Sequence, residues 1–349
     1  MELYKNAQGY TIGELMVAIV VGTLLIAASA ATYIAQNRSY TTQESVSEIN
    51  TQSKIAHDMI SNDIKTAGFG VPDDLAADPI AGYSTVMNPL DSSTGPDAVT
   101  IIGSYRRIGS FWPAGTGPTS GLPCPAGSPT KIQMNTTQVS ITLSGTVGAN
   151  DSDRRFLSFD GVDYAEVKTC TVSGDENNCS GTITLDRPLT ASYPLRDTNG
   201  DSFCDEGRPV YLVEDVTYCV GGTSGSTLLR IRGNANVAAC SGTATSQIDP
   251  IAENIEDLQL AYARDTLNSD GMVDTAFQDA PAVPSATFNS AIQAVRVSVL
   301  ARADKPDSDY AGQGNPPATI ENRNHGETND DFRRRWWQKT VTVRNRWGR

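Results

Sequence analysis

A run of apolar residues from Leu15 to about Ala35 stands almost at the start of this chain and constrains everything after it. The run is roughly 21 residues, enough for an α-helix to cross a hydrocarbon core of about 30 Å. A polar leader ends at Gly9, and one carboxylate, Glu14, opens the apolar segment. A secretory signal would have a longer basic region, a shorter apolar core and small residues at a cleavage site beyond it. Here the cleavage-like glycine comes first, so processing there leaves the helix on the mature protein. Lys5 in the short leader marks the cytoplasmic side, which puts the chain after about Gln36 in the periplasm or beyond.

Gly9, Tyr10 and Glu14 together resemble the class III signal of type IV prepilins and pseudopilins. Tyr10 replaces the usual phenylalanine, and Gly13 stands where a large aliphatic is common. The glycine weakens the helix by about 1 kcal/mol relative to alanine. The resemblance implies cleavage after Gly9 by a prepilin peptidase, methylation of the new N-terminus at Tyr10, and an assembly role for Glu14. Physics gives Glu14 its own reading. A carboxylate in an apolar helix costs about 2.5–3.5 kcal/mol at mid-membrane, so it is ordinarily paired or functional. The α-amino group of a neighbouring subunit, offset along a fibre, would pair with it. An interfacial glutamate in a simple anchor is the other reading.

The helix continues past the apolar run. From Arg38 to Ala67 there is no proline or glycine, and Val46, Ile49, Ala56, Met59, Ile60, Ile64 and Ala67 recur at helical spacing. Gly68, Gly70 and Pro72 stop it. A helix from Tyr10 to Ala67 would be about 85–90 Å long. The remainder reads as mostly β, with turn residues between short apolar or alternating runs. Strands are expected near Ala98–Ile102, Val139–Leu143, Thr182–Leu185, Pro209–Val213, Val216–Val220, Leu228–Arg232, Ile255–Tyr262, Ala294–Ala301 and Lys339–Arg344. A hairpin is expected between Val220 and Leu228, and exposed loops over Trp112–Pro129 and Asp304–Asp331.

The segments DVTYCVGG, TLLRIRG, NIEDLQLAYARD, AVRVSVLARAD and FRRRWWQKTVTVRNR, in that order, resemble PilW-type minor pilins. The resemblance implies an α+β type IV pilin fold: a long N-terminal α-helix packed on a mainly antiparallel β-sheet head, with a large β-rich insertion. The expected organisation is a leader (1–9), a transmembrane and fibre-core helix (10–36), its amphipathic half (37–70), a β-rich inserted region (71–208) and a pilin-like head (209–349). The implied function is non-enzymatic: initiation and assembly of a type IV pilus, with a position near its tip. The implied partners are other minor and major pilins, the prepilin peptidase, the inner-membrane assembly machinery and a tip adhesin. The implied location is the inner membrane, single-pass, and then the fibre. A type II secretion pseudopilin shares the signal and the helix, and an adhesin or DNA-uptake receptor is a reading from another class.

The six cysteines all lie beyond the helix, in keeping with an oxidising compartment. Cys170 and Cys179 flank a turn-rich segment and are the easiest pair to close; Cys219 and Cys240 flank an expected hairpin and come next. Two acidic loops have calcium-like spacing, since calcium takes about six to eight oxygens. One offers Asp197, Asn199, Asp201 and Asp205; the second offers Asp265, Asn268, Asp270 and Asp274. A solvated acidic turn is the alternative for each.

Nucleophile elbows, zinc-helix motifs, Walker loops and dinucleotide fingerprints are absent from the sequence. A net charge of −13 disfavours broad nucleic-acid affinity. The C-terminus opposes that balance, with Arg333, Arg334, Arg335, Lys339, Arg344, Arg346 and Arg349 among Trp336, Trp337 and Trp347. Such a mixture suits single-stranded DNA. It equally suits a last strand whose arginines pair with acidic neighbours.

Overall fold

The structure, a computed structural model, describes residues 11–344 except 73–74, 77–78, 81, 114–129, 134–135, 144–155, 171–180, 198–201, 205–206, 222–225, 234–236, 238, 243–245, 268–269, 282, 308–309 and 311. Helix α1 (Ile12–Thr66) has 55 residues, close to the span read from the sequence. Thr11 caps its start, and Gly68, with φ 74°, turns the chain away after its end. Only a residue free of Cβ strain adopts that conformation readily.

The second half of α1 is clothed. Ile49, Ala56, Ile60 and Ile64 are buried, as the spacing predicts, whereas Val46 and Met59 are half-buried at the margin. Ser53, His57 and Ser61 complete the buried face, at four-residue steps. This face packs on an antiparallel sheet of β12 (Ile255–Arg264), β13 (Ile292–Arg302) and β16 (Arg334–Thr342), in that order. Leu258, Leu260, Val295, Val297 and Val341 supply the sheet's side of the core. In strand β13 the odd-numbered valines meet the helix, while Arg296 and Ser298 lie on the other face, which is covered rather than wet, Ser298 being buried.

Among the described residues the larger sheet has nine strands. Its members are β1 (Met87–Leu90), β2 (Ala98–Pro113), β4 (Gln138–Leu143), β5 (Phe156–Phe159), β6 (Asp163–Cys170), β7 (Gly181–Leu185), β9 (Arg208–Gly221), β10 (Thr227–Arg232) and β11 (Gln247–Ala252). Six of them close on themselves in the order β2-β4-β7-β6-β5-β9, because β9 pairs with β2 as well as with β5. The result is an antiparallel barrel, which removes sheet edges by closure. Phe111, Phe159 and Tyr193 fill it with edge-to-face ring contacts at 5.0 Å. A small pair, β3 (Thr130–Gln133) with β8 (Ser192–Leu195), accompanies it. Phe69, just after α1, packs edge-on against Tyr211 of β9, so the barrel sits at the C-terminal end of the helix.

Several expectations change. Pro209–Val213 and Val216–Val220 are one strand, β9, because Glu214 and Asp215 lie buried within it rather than in a turn. Trp112 and Pro113 belong to β2, and Trp112 is buried against Gly207, where a Cβ would come within 2.6 Å of the indole; residues 114–129 of that expected loop lie outside the described residues. The boundary at 208 does not separate one sheet from another, since β9 begins there and joins the inserted region to the rest. The final strand runs over Arg334–Thr342, starting five residues before the expected Lys339. Strands β1, β3, β5, β6, β8 and β11 have no counterpart among the strands expected from the sequence.

The Asp304–Asp331 stretch is less open than expected. It forms the hairpin β14 (Thr319–Ile320) and β15 (Arg323–Asn324), which covers the outer face of the three-stranded sheet. Glu321 takes both ends of the Arg296 guanidinium, and Arg323 pairs with buried Asp257. The expected hairpin at Val220–Leu228 is present as the β9–β10 pairing.

Candidate assembly surface

Two solutions to the same problem meet on α1. From Thr11 to Thr41 every residue is exposed except half-buried Gly22, including Ile12, Leu24, Leu25 and Ile26. This segment is long and apolar enough to cross a membrane by length and composition. A spanning helix must satisfy its polar groups internally. Its hydroxyls do so: Thr23 donates to the Val20 carbonyl at 2.8 Å, Ser29 to Leu25 at 2.8 Å and Thr32 to Ala28 at 2.9 Å.

Glu14 sits at the head of this segment and is engaged locally. Its Oε2 accepts from the Thr11 backbone N–H at 3.0 Å and from the Thr11 hydroxyl at 3.1 Å, while Thr11 Oγ1 accepts from the Glu14 N–H at 3.2 Å. This reciprocal capping box satisfies two orphan donors of the first turn. The signal for it is the Thr-x-x-Glu spacing, which the apolar setting of Glu14 overshadows in the sequence by pointing to a neighbour's amine. Gly9 and Tyr10 lie outside the described residues.

The clothed half is pinned by charge as well as by packing. Asp63 accepts from the Tyr218 hydroxyl at 2.6 Å and from Arg230 Nε at 2.8 Å. Burial first and Asp63 second raise the Tyr218 pKa. Burial works against the Arg230 guanidinium, but Asp63 and Tyr218 together outweigh it and hold the group above its ordinary value. Arg335 donates to Asn50, and Lys339 lies 3.4 Å from Asp58. Burial lowers the His57 pKa.

A second tie joins the two sheets. Asp97, immediately before β2, donates its N–H to the Leu258 carbonyl and accepts from the Leu260 N–H, both at 2.8 Å. Burial pushes its carboxyl up to about 8, against the Ser92 and Leu260 N–H groups and with the help of Asp91 and Asp257. Nothing in the one-dimensional pattern marks this tie, because the partners that join the sheets are about 160 positions away.

The arginines of the basic C-terminal stretch take acidic and aromatic partners, although buried and exposed positions do not alternate along β16. Arg333 pairs with Asp307 at 2.7 Å, Arg334 with Glu256 and Asp330, and Arg335 lies over the Trp337 ring. Trp336 and Trp337 remain partly exposed. Cys219 and Cys240 form the expected disulfide, and Gly221 leaves room for it, since a Cβ there would lie 2.7 Å from the Cys240 sulfur. Cys204 is disulfide-bonded as well. The Cys170–Cys179 pairing falls outside the described side chains.

The acidic loops are only partly in view. Asp197 accepts from the Ser202 N–H at 3.0 Å; Asn199, Asp201 and Asp205 lie outside the described residues. In the second loop Asp265 accepts from Gly271, Asp270 from Met272, and Asp274 from both the Thr266 and Leu267 N–H groups. Asn268 is outside the described residues. Among the described residues no three His, Cys, Asp or Glu side chains gather as metal ligands.

Residues 210–345 match the family described as type IV pilus-assembly protein W. The matched region begins inside β9 and holds the Cys219–Cys240 disulfide, the helix-backing sheet and the basic last strand. A solved type IV-like pilin of Thermus thermophilus aligns over 86% of this chain and 97% of its own, at 11% identity and a TM-score of 0.34. No curated protein matches the chain. With its long N-terminal helix and β-rich head, the chain is α+β.

Proposed function

We propose that this chain is a minor pilin of the PilW type that takes part in initiating a type IV pilus and stays near its tip. The observation that carries the reading is the division of α1: a bare apolar half leads without a break into a half clamped to the PilW-type sheet. The bare half serves first as a membrane anchor and then as a fibre-core strut against the helices of neighbouring pilins. The head, with its added barrel, is the distinctive surface offered to partners. Cleavage after Gly9 and methylation of Tyr10 by the prepilin peptidase belong to this proposal, as does calcium in the Asp197–Asp205 loop.

Glu14 has two successive roles in this scheme. The capping box holds it in the free subunit, and the Tyr10 amine of a neighbour takes it up on assembly. Glu14→Ala is therefore expected to insert in the membrane normally and to enter fibres poorly. Pilus counts and co-purification with other pilins check this; full piliation together with unchanged co-purification would show that Glu14 is only a helix cap.

A further inference from the structure

Strands β12 and β16 are the two outer strands of the helix-backing sheet, and their free sides differ. The outward groups of β12 are taken. Asp97 engages the Leu258 carbonyl and the Leu260 N–H, and Gln278 exchanges backbone hydrogen bonds with Tyr262 at 2.7 and 3.0 Å. Strand β16 has no such cover. Two bonds fix the phase of its ladder with β13: the Val343 N–H donates to the Gln293 carbonyl, and the Ala303 N–H to the Arg333 carbonyl. The register runs unbroken between them, so the odd-numbered residues of β16 bond to β13. The N–H and carbonyl groups of Trp336, Gln338, Thr340 and Thr342 therefore point away from the sheet. Among the described residues none of these groups has a backbone partner.

Proteins commonly blunt such an edge with a proline, a bulge, a covering segment or a charge. Strand β16 holds neither proline nor bulge. Every residue from Arg335 to Thr340 is exposed, with Trp336 at 42% and Trp337 at 37%. Its cations reach α1: Arg335 donates to Asn50, and Lys339 lies 3.4 Å from Asp58. Exposed Lys54 falls between Asn50 and Asp58 at four-residue steps, on the same side of α1. Arg335, Lys339 and Lys54 outnumber Asp58, so this rim is basic in a chain of net charge −13. On the opposite face of the strand Gln338 binds Ser298 and Glu321, between Trp336 and Thr340.

We infer that the open side of β16 is a docking edge for an extended acidic segment of a partner protein, which joins the sheet as a fourth strand. The inference concerns the head alone and does not depend on what the bare half of α1 does. Main-chain hydrogen bonds to Trp336, Gln338, Thr340 and Thr342 supply the attachment. Side chains of the incoming strand alternate between the two faces. Carboxylates on the α1 side meet Arg335, Lys339 and Lys54, and apolar groups on the other side cover Trp336. A second β16 fits less well, because it brings another Arg335 and Lys339 to the same face, where like charges repel. Single-stranded DNA needs open ring faces for base stacking. Arg335 already lies over the Trp337 ring, 4.5 Å from its centre.

The test uses the full chain in mild detergent and, as probe, a fluorescent octapeptide that alternates glutamate with valine. Anisotropy should show saturable binding, about tenfold tighter than for the same peptide with lysine in place of glutamate. Thr340→Pro removes an outward N–H that β13 does not use, so it should abolish binding and leave the thermal midpoint of the head nearly unchanged. Arg335→Gln with Lys339→Gln should shrink the preference for glutamate over lysine. N-methylated peptides separate strand addition from plain charge attraction, and they decide the matter even where Thr340→Pro does not fold. Only alternate N–H groups of an added strand face β16. Methylating the amides of one residue type, valine or glutamate, should therefore abolish binding, and methylating those of the other should leave it. Equal effects of the two methylations, or no saturable binding of the glutamate peptide, overturn the edge. Tighter binding of oligothymidylate than of the peptide would assign the edge to DNA, and a dimer that Thr340→Pro dissolves would assign it to a second copy. Either result overturns the inference.

Discussion

Between Thr11 and Thr41 helix α1 turns apolar side chains outward, whereas between Ile49 and Ile64 it buries a stripe and ties its charges to the head. The backbone is continuous, so the difference lies in where polar groups find partners. In the first half the Thr23, Ser29 and Thr32 hydroxyls return to carbonyls of the same helix. In the second half Asn50, Asp58 and Asp63 reach side chains of β9, β10 and β16. By length and composition the first half is compatible with a membrane, and the second is fitted to one particular protein surface.

Substitutions on the two halves should therefore separate cleanly. Ile60→Ala, at a position with 0% exposure, should destabilise the head by about 4 kcal/mol. Ile26→Ala, at 71% exposure, should move the head's stability by less than about 0.5 kcal/mol. Denaturant titration of both full-length variants in detergent measures the contrast; equal losses would erase it.

The Asp63 tie comes next in size. Asp63→Ala leaves the Arg230 guanidinium and the Tyr218 hydroxyl without their main partner in a half-buried setting. The expected cost is about 2–3 kcal/mol, below that of a fully buried broken pair because Arg230 also lies 3.9 Å from Asp249. The same titration reads it, and a cost under about 0.5 kcal/mol would mean that packing alone holds the helix on the sheet.

Legibility follows the same division. The course of α1 is readable because a stretch free of glycine and proline coincides with helical spacing, and a glycine with positive φ ends it. Strand β13 is readable because one of its faces is apolar and the other polar. The barrel is not. Its strands β5 and β6 are short, and closure depends on β9 meeting β2 and β5 at once, a long-range pairing that leaves no periodic mark. Glu214 and Asp215 look like a break in β9 because buried acids are rare, yet both lie inside the strand. At the candidate site, Glu14 stands out by its unusual place in an apolar run. The Asp63 tie stays hidden because one acid on an amphipathic helix looks like any other until its partners are known.

A smaller gain is expected from calcium at Asp197–Asp205. An ion bound only by the folded head, at about five times its Kd, should stabilise it by about 1 kcal/mol. Thermal unfolding with calcium and with chelator measures this, and Asp201→Ala should remove the gain. A gain that survives that substitution would move the site to the Asp265–Asp274 loop, and no gain at all would leave both loops as acidic turns.

The central claim is that the bare half of α1 stays on the mature protein while the nine-residue leader does not. Intact-mass analysis of the protein extracted from membranes tests it most directly. The account predicts a chain that begins at Tyr10, with one methyl group on its amine, and that keeps the whole of α1. A mass that retains residues 1–9, or one that lacks the apolar segment, would contradict it.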